Sequence, residues 1–338
     1  MAALGTQMLE EFGDIVGNDG ARHRYRPLRH IGGGASSVVW QLSQMSTGRV
    51  LVGKFMDTTL MSEKSRNFAL AEANNAAKVV HPNIIEFIEC AERHGKLLLV
   101  FEFADAGDLH AQVAARAPNR YFREEEILLI LAQVCLAVSQ LHKNKILHRD
   151  LKTMNVFLTM SGLIKLGDFG FSREYDQSVS ATPGSTFCGT PYYLAPELWN
   201  QAPYGKKADM WSLGVILYEL MSLRVPFSGK SMKDLVANVL AGRVDPLPEQ
   251  FSPDLRQLCF DLLSIDPERR PTVQEVFARP VMRELGLNAL LRNVPRLATV
   301  PVETRNRIVA DVQAELAEID ARAAGMAVPG SPPGMYGA

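Results

Sequence analysis

Residues Ile146–Gly170 read ILHRDLKTMNVFLTMSGLIKLGDFG and bring three oxygen-bearing side chains into one short segment. Asn155 follows Asp150 by five positions, and Asp168 comes after a short apolar run that we predict to be a hairpin. Carboxylate and amide oxygens are the ligands that a hard cation such as Mg²⁺ prefers. The segment therefore predicts that these three side chains converge beside one cation.

This set of groups suits the transfer of a phosphoryl group between two oxygens. During such a transfer negative charge spreads over the phosphoryl oxygens, so a protein mainly places the reactants and compensates charge. We expect Asn155 and Asp168 to bind Mg²⁺, and Lys152 to neutralise the phosphoryl group. The ordinary aspartate pKa of about 3.9 makes Asp150 a poor base, so we expect it to orient the acceptor hydroxyl and to take its proton late.

The series His148-Arg149-Asp150-Leu151-Lys152, Asn155 and Asp168-Phe169-Gly170 resembles the catalytic segments of eukaryotic protein kinases. Thr153-Met154 and the later Gly189–Tyr193 segment resemble the NIMA-related (NEK) group of serine/threonine kinases. A chance HRD or DFG triplet is the alternative, but both occur here in order and at the family's spacing. The resemblance implies an α+β, bilobal fold with a small β-rich N-lobe, a larger helical C-lobe, and ATP and Mg²⁺ between them.

The resemblance covers about residues 25 to 285 and sets the predicted boundaries. We expect a flexible leader (1–23), a kinase domain (24–285), a helical extension (286–324) and a disordered Pro/Gly tail (325–338). Within the domain we expect the N-lobe at about 24–102, the hinge at 102–105 and the C-lobe at 106–285. Apolar residues at helical spacing between Pro301 and Gly325 predict a helix that either docks on the body or pairs two chains.

The phosphate end of the ATP site is assigned by resemblance to a glycine-rich turn and a lysine. Gly32 and Gly34 lack a Cβ, which lets backbone N–H groups approach a phosphate, whereas Ser37 stands in place of the family's third glycine. Lys54 corresponds to the phosphate-binding lysine, and Glu72 to its ion-pair partner on the αC helix. The alternatives are an ordinary tight hairpin and a glutamate on a solvated helix face.

The adenine end is assigned in the same way. Ile31, Val39 and Val52 would cover the nucleotide, and the Glu102 carbonyl and Ala104 N–H would meet the adenine edge. Asp108 would bind the ribose, and Phe101 falls at the gatekeeper position behind the adenine. Phe157 would form the floor of the pocket, although a simple core phenylalanine gives the same sequence pattern.

Residues 171–188 are rich in serine, threonine, glycine and proline and resemble an activation loop. Arg149 and Arg173 are two cations that suit a phosphate placed on this loop. Thr186 is the first candidate for phosphorylation, by an upstream kinase or by autophosphorylation. Four other positions compete, as does an unmodified loop: Ser178, Ser180, Thr182 and Ser185.

The acceptor class and some structural contacts also follow from the resemblance. Lys152 and Thr190 are typical of kinases that phosphorylate serine and threonine. Met154 replaces the acid with which many basophilic kinases read a substrate arginine, so we expect no strict arginine requirement. We further expect Asp209 to brace the catalytic loop, and Arg270 to pair with Glu197.

Composition favours an ordinary soluble chain. Its 338 residues are 47% hydrophobic and 22% charged, with a net charge of -1, so we expect no nucleic-acid or membrane partner. The four cysteines lack metal spacing and fit a reducing, cytoplasmic compartment. The apolar run Met210–Met221 is about twelve residues long and contains Glu219, which predicts a buried helix. A cytoskeletal, basal-body or ciliary association is implied only by the family.

Three classes of function are considered for this sequence. The first is a protein serine/threonine kinase with protein substrates. The second is a catalytically silent pseudokinase scaffold, which the presence of Lys54, Glu72, Asp150, Asn155 and Asp168 disfavours. The third is a small-molecule kinase, which the peptide platform between Gly189 and Glu197 disfavours.

Overall fold

The structure is a computed structural model, and it describes most of the chain. The described residues are 9, 12–17, 20–33, 37–61, 63, 66, 77–116, 120–167, 173–174, 191–200 and 202–325, with only the backbone at 60, 173 and 174. The tail predicted for residues 325–338 lies, apart from Gly325, outside this range.

Five antiparallel strands form the main sheet of the N-terminal lobe, in the order β3-β4-β5-β7-β6. These strands are β3 Tyr25–Gly33, β4 Ser37–Gln44, β5 Val50–Asp57, β6 Phe87–Arg93 and β7 Lys96–Glu102. Because side chains alternate along a strand, Val52 and Lys54 face one side of β5 while Leu51 and Phe55 are buried on the other. The sheet therefore has a face toward the predicted nucleotide and an outer, apolar face.

The outer face of the sheet is covered by residues that precede it. Two short strands, β1 Ile15–Val16 and β2 Arg22–His23, pair with each other, and Leu9, Phe12 and Ile15 join the buried cluster on this face. The Arg93 guanidinium donates hydrogen bonds to the carbonyl oxygens of Phe12 and Asp14. The prediction of a flexible leader is wrong for these residues, because an apolar sheet face needs an apolar cover.

The C-terminal lobe is mainly helical. Its helices are α1 Leu109–Arg116, α2 Glu124–Lys143, α3 Pro196–Trp199, α4 Lys206–Ser222, α5 Met232–Ala241, α6 Pro253–Leu262, α7 Val273–Ala278, α8 Asn288–Asn293 and α9 Val302–Ala323. The short strands are β8 Ile146–Leu147, β9 Val156–Leu158, β10 Ile164–Leu166 and β11 Arg173–Glu174, and they form the pairs β9-β10 and β8-β11. The described elements thus have the predicted α+β, two-lobed organisation.

Two helices form the centre of this lobe. The prediction of a buried helix at Met210–Met221 is confirmed, since these residues lie in α4 and are buried throughout. Helix α2 is long and apolar enough to cross a membrane, yet 72% of its most apolar window is buried inside the protein. Core helices pass the same test of length and composition, so α2 is explained by its packing.

Helix α9 docks on the body of the protein. Ile308 and Val312 are buried in the main core, and the Glu315 carboxylate accepts hydrogen bonds from Ser139 Oγ at 2.7 Å and Lys143 Nζ at 2.6 Å. Of the two arrangements expected for this helix, the structure has the docked one. Helix α9 is thus part of the folded unit.

The burial of α9 predicts a stability effect. Ile308→Ala is expected to lower the free energy of unfolding by about 2–5 kcal/mol, because it removes buried methyl groups and leaves a cavity. Val302, on the same helix, is 54% exposed, so Val302→Ala is the matched control and should change stability little. Urea unfolding followed by circular dichroism measures both, and equal losses in the two variants would contradict the docked arrangement.

Candidate active site

Three of the predicted catalytic side chains meet at Asp150. The loop that carries them lies between strands β8 and β9. A 3-10 turn at Thr153–Asn155 leads directly into β9. Lys152 Nζ donates to Asp150 Oδ2 at 2.7 Å, and Asn155 Nδ2 donates to the same oxygen at 3.0 Å. Of the three oxygen-bearing side chains expected to converge, Asp150 and Asn155 are in contact here, Lys152 joins them, and Asp168 lies outside the described residues.

The segment that leads to Asp168 lies against the same loop. The Gly167 N–H donates to the Asn155 carbonyl at 2.9 Å, and the Gly167 carbonyl lies 3.1 Å from His148 Nε2. A Cβ on Gly167 would meet Ile85 and Phe157 side chains at 2.9 Å, so only glycine fits there without a shift of its neighbours. The residue before Asp168 is thus fixed beside Asn155.

The predicted adenine-side residues share one region of the described structure. Val39 pairs with Lys54 across β4 and β5, and Val52 pairs with Phe101 across β5 and β7. Paired residues of neighbouring strands face the same side of a sheet. The Phe101 ring packs edge-on against Phe87 with the ring centroids 5.6 Å apart.

The hinge joins this sheet to the β9-β10 hairpin. The Ala106 N–H donates to the Leu158 carbonyl at 2.9 Å, and Asp108 forms an isolated bridge with Phe157. The Asp108 carboxylate accepts the Ala111 N–H at 2.8 Å at the start of α1. Ala104, in the same segment, is buried. The hinge is therefore placed next to both Phe157 and the sheet.

The glycine-rich turn is a hairpin between β3 and β4. Ile31 is exposed, and Gly32 and Gly33 pair with Val39 and Val38. A Cβ on Gly33 would lie 2.5 Å from the Ser37 carbonyl oxygen, whereas a Cβ on Gly32 would have open space around it. The glycine that the fold itself requires is therefore Gly33, which the sequence did not single out, while the open side of Gly32 fits the approach of a phosphate.

Several predicted site residues lie outside the described part of the chain: Gly34, Glu72, Asp168, Thr186 and Thr190. Of Arg173 only the backbone is described, and it pairs with Leu147 in the β11-β8 bridge beside the catalytic loop. Within the described residues, no group of three or more His, Cys, Asp or Glu side chains could hold a metal ion. The predicted Mg²⁺ ligands are an asparagine and one aspartate, of which Asn155 is described.

Comparison with known proteins identifies the family. A profile described as "Protein kinase domain" matches residues 25–282, which is most of the chain. The chain belongs to the protein kinases. Two trypanosome proteins from Trypanosoma brucei brucei, "Putative serine/threonine-protein kinase A" and "B", are 45% and 44% identical to this kinase over 293 residues, covering 85% of it and 68% of each relative.

The kinase is also similar to several Nek proteins. Mouse Nek1 is 37% identical over 256 residues, which is 76% of this kinase and 21% of the relative. Human Nek2 is 33% identical over 280 residues, which is 80% of this kinase and 62% of the relative. By homology it is a serine/threonine protein kinase, and the predicted resemblance to protein kinases with Nek relatives is confirmed.

In this kinase Asp209 holds the backbone of the catalytic loop, as predicted. Its carboxylate accepts the His148 N–H at 3.1 Å and the Arg149 N–H at 3.0 Å. Arg149 has a φ of 69°, a left-handed conformation that is uncommon for a residue other than glycine. The two hydrogen bonds stabilise that conformation. Two further donors to Asp209 were not predicted: His142 Nε2 at 2.8 Å and the Tyr204 hydroxyl at 2.8 Å.

His142, His148 and the Arg149 N–H favour the charged form of Asp209. Burial alone would raise its pKa, but the hydrogen bond and charge of His142, with the charge of His148 and the Arg149 N–H, outweigh burial and hold the pKa below the ordinary value of 3.8. A lowered folded-state pKa means that the carboxylate stabilises the fold fully above pH 3.8. That stabilisation is lost as the pH falls through the lower folded-state pKa.

The pH dependence gives a prediction for Asp209→Asn. At neutral pH the variant should lose about 1–3 kcal/mol of unfolding free energy, because charge-assisted hydrogen bonds are weakened. Below pH 3.8 its stability should fall less steeply than that of the wild type. Urea unfolding between pH 3 and 7 measures both effects. The control variant is Asp245→Asn, since the Asp245 side chain is 66% exposed. Parallel pH profiles for wild type and Asp209→Asn would contradict this account.

A second buried network links the catalytic loop to the predicted substrate platform. The Tyr193 hydroxyl donates to Glu219 at 2.5 Å, and the Thr153 hydroxyl lies 3.0 Å from the Tyr193 oxygen. Burial, reinforced by the negative charge of Glu219, raises the pKa of Tyr193 well above its ordinary value, so the phenol stays protonated and donates. The only sequence signal for this network was a lone glutamate in the apolar run of α4.

The predicted pair between Arg270 and Glu197 is confirmed. Arg270 Nη1 and Nη2 each donate to a different carboxylate oxygen of Glu197 at 2.7 Å. Arg270 is 1% exposed and also donates to backbone carbonyls of Ser264, Ile265 and Lys207. The buried guanidinium is thus fully surrounded by acceptors and fixes the end of the platform near α3.

Proposed function

We propose that this kinase transfers the γ-phosphoryl group of Mg-ATP to serine and threonine hydroxyls of protein substrates. The observation that supports it most is the arrangement at Asp150, where Lys152 and Asn155 share one carboxylate oxygen. A lysine at 2.7 Å from the aspartate lies where it can contact both the acceptor hydroxyl and the phosphoryl group. The family match supports the same reaction class.

Each residue has a defined task in this proposal. Asp150 orients the acceptor hydroxyl and accepts its proton late in the transfer. Lys152 compensates negative charge on the phosphoryl oxygens. The Asn155 amide nitrogen is engaged by Asp150, so its oxygen lies on the other branch of the side chain, where it suits an oxygen-seeking cation. Bound Mg²⁺ supplies additional compensation of phosphate charge.

The nucleotide would lie between the sheet and the hinge. Val39 and Val52 would cover the adenine from the sheet, and Phe157 would support it from below. The Glu102 carbonyl and Ala104 N–H would bind its edge, and Asp108 the ribose. Lys54, on the same face of β5 as Val52, would bind the phosphates with Glu72 as its partner. Phe101 would close the rear of the pocket, so Phe101→Ala should admit inhibitors with bulky rear groups.

A transfer assay with phosphoamino-acid analysis tests the function. Purified protein is incubated with Mg²⁺, radiolabelled ATP and a mixture of protein substrates, and the label is expected on serine and threonine. Label on tyrosine would contradict the acceptor class. Binding of ATP with no transfer to any polypeptide would favour the pseudokinase scaffold, and transfer only to small molecules would favour the third class.

We also propose that phosphorylation of Thr186 activates the kinase. Arg149 lies beside the catalytic Asp150 with its guanidinium 5.5 Å from the centre of the Tyr204 ring. Arg149 and Arg173 would together bind a phosphate on the loop. Phosphatase treatment should therefore lower the activity of the wild type and leave Thr186→Ala, already low, unchanged. Activity that is indifferent to both changes would remove the hypothesis.

The source of that phosphate is open to a direct test. If the kinase phosphorylates itself, Asp150→Asn expressed in bacteria should carry no phosphate on Thr186, whereas the wild type should carry it. If both proteins lack it, an upstream kinase is required. Mass spectrometry of the loop distinguishes the outcomes.

We propose protein substrates without a strict arginine requirement and a cytoplasmic location. Met154 offers no charge for a substrate arginine, and a peptide array with strict upstream arginine selection would contradict this. Cys90, Cys135 and Cys259 are free thiols, which fits a reducing compartment. Microscopy of the tagged protein tests the location, including the cytoskeletal, basal-body or ciliary association suggested by the family.

A further inference from the structure

A charged pair connects the hinge to the strand before Asp168. Lys165, in β10, places its Nζ 2.8 Å from Glu102 Oε1 and 2.9 Å from Oε2, and the two side chains are only 10% and 20% exposed. Lysine is rarely buried unless it is paired, and breaking such a pair leaves an uncompensated charge. Ile164 and Leu166 on either side are apolar and buried, so the lysine is the exception in its strand.

Glu102 is held on its other side by the neighbouring loop. Its carboxylate accepts the Glu86 N–H at 3.2 Å, and its own N–H donates to the Glu86 carbonyl at 2.9 Å. The Glu86 carboxylate is in turn paired with Arg49 at 2.7 Å. The position of Glu102 at the start of the hinge therefore depends on donors from two directions.

Strand β10 is fixed to the catalytic side of the site. The Leu166 N–H donates to the Asn83 carbonyl and the Ile85 N–H to the Leu166 carbonyl, both at 2.8 Å. One residue later, Gly167 is bonded to Asn155. A group anchored on β10 thus has a defined position relative to the catalytic loop.

We propose that Lys165 is a positioning residue for nucleotide binding. This inference rests on the proposed function. Through the Glu102 carboxylate Lys165 holds hinge residues 102–104 at a fixed place relative to the catalytic loop. Without the ammonium group, the Glu102 carboxylate is buried with no counter-ion on that side, and the hinge shifts to hydrate it. The backbone groups that would bind the adenine edge are then displaced.

Lys165→Met tests this, because methionine keeps an unbranched side chain and removes the charge. The Kd for ADP, measured by calorimetry, and the KM for ATP should each rise about tenfold, while kcat changes less than about threefold. Lys165→Arg, which retains a cation, should recover most of the affinity. Lys230→Met is the matched control on an exposed lysine and should leave both values unchanged.

A double-mutant cycle separates the pair from general damage. If Lys165 acts through Glu102, then Lys165→Met combined with Glu102→Gln should weaken ADP binding no more than Lys165→Met alone. Unchanged ADP affinity in folded Lys165→Met, or fully additive losses in the double variant, would overturn the proposal. Should Lys165→Met fail to fold, Glu102→Gln is measured in its place, and unchanged ADP affinity in that variant overturns the proposal equally. Wild type that binds ADP yet transfers no phosphoryl group would instead overturn the proposed function.

Discussion

Asp150→Asn is expected to lower kcat by about 10²–10⁴-fold, the range found for removal of a positioned acid–base group. The amide cannot accept the hydroxyl proton, although it preserves the size of the side chain. Lys152 and Asn155 both donate to Oδ2 of Asp150, so the variant also weakens the contacts that hold these two side chains. Radiolabelled phosphoryl transfer under saturating ATP measures the loss, and the KM for ATP should change little.

The control for this prediction is Asp245→Asn. The Asp245 side chain is 66% exposed and pairs with Arg224 on the surface, a type of contact worth little. Its activity should match that of the wild type. Asp150→Asn with near-normal kcat would show that another residue directs the acceptor hydroxyl.

Phe12→Ala is expected to lower the free energy of unfolding by about 3–5 kcal/mol, since it empties a buried aromatic site. Phe12 is 1% exposed, and its ring lies 6.0 Å from the ring of Phe55 in an edge-on arrangement. Phe55 follows Lys54 in β5 and points to the opposite face of the sheet. The loss should therefore loosen the strand that carries the predicted phosphate-binding lysine. Urea unfolding, with a parallel measurement of the KM for ATP, tests both effects.

Val16→Ala serves as the control for the cover of the sheet. Val16 belongs to the same N-terminal segment but is 64% exposed, so its truncation should change stability by less than about 0.5 kcal/mol. If Phe12→Ala were as stable as Val16→Ala, the segment would not be packed on the sheet in solution.

The catalytic loop was predictable because its chemistry is local in the sequence. Asp150, Lys152 and Asn155 lie within six residues of one another, so their convergence requires only a tight loop between two short strands. The Asp209 brace and the Arg270 pair were predicted from the family pattern, since neither partner lies near the other along the chain. The α+β, two-lobed fold follows from the same family pattern.

The contacts that were missed join distant segments through ordinary residue types. Lys165 and Glu102 are 63 positions apart, and neither strand shows by its pattern which side chain will face the other. The packed leader was missed because Leu9, Phe12 and Ile15 follow no lasting helical or strand period. Their burial is a tertiary effect of the apolar face of the sheet, which no local pattern reveals.

The cover over the outer face of the sheet determines where this chain can be shortened. The family profile begins at residue 25. A protein that starts there lacks Leu9, Phe12 and Ile15, so the cluster that contains Trp40, Leu42 and Phe55 loses part of its cover and becomes more exposed to water. A contiguous apolar patch of this kind promotes self-association. A recombinant fragment that remains soluble and monomeric therefore has to start ahead of Leu9, well before the boundary that family similarity alone would set.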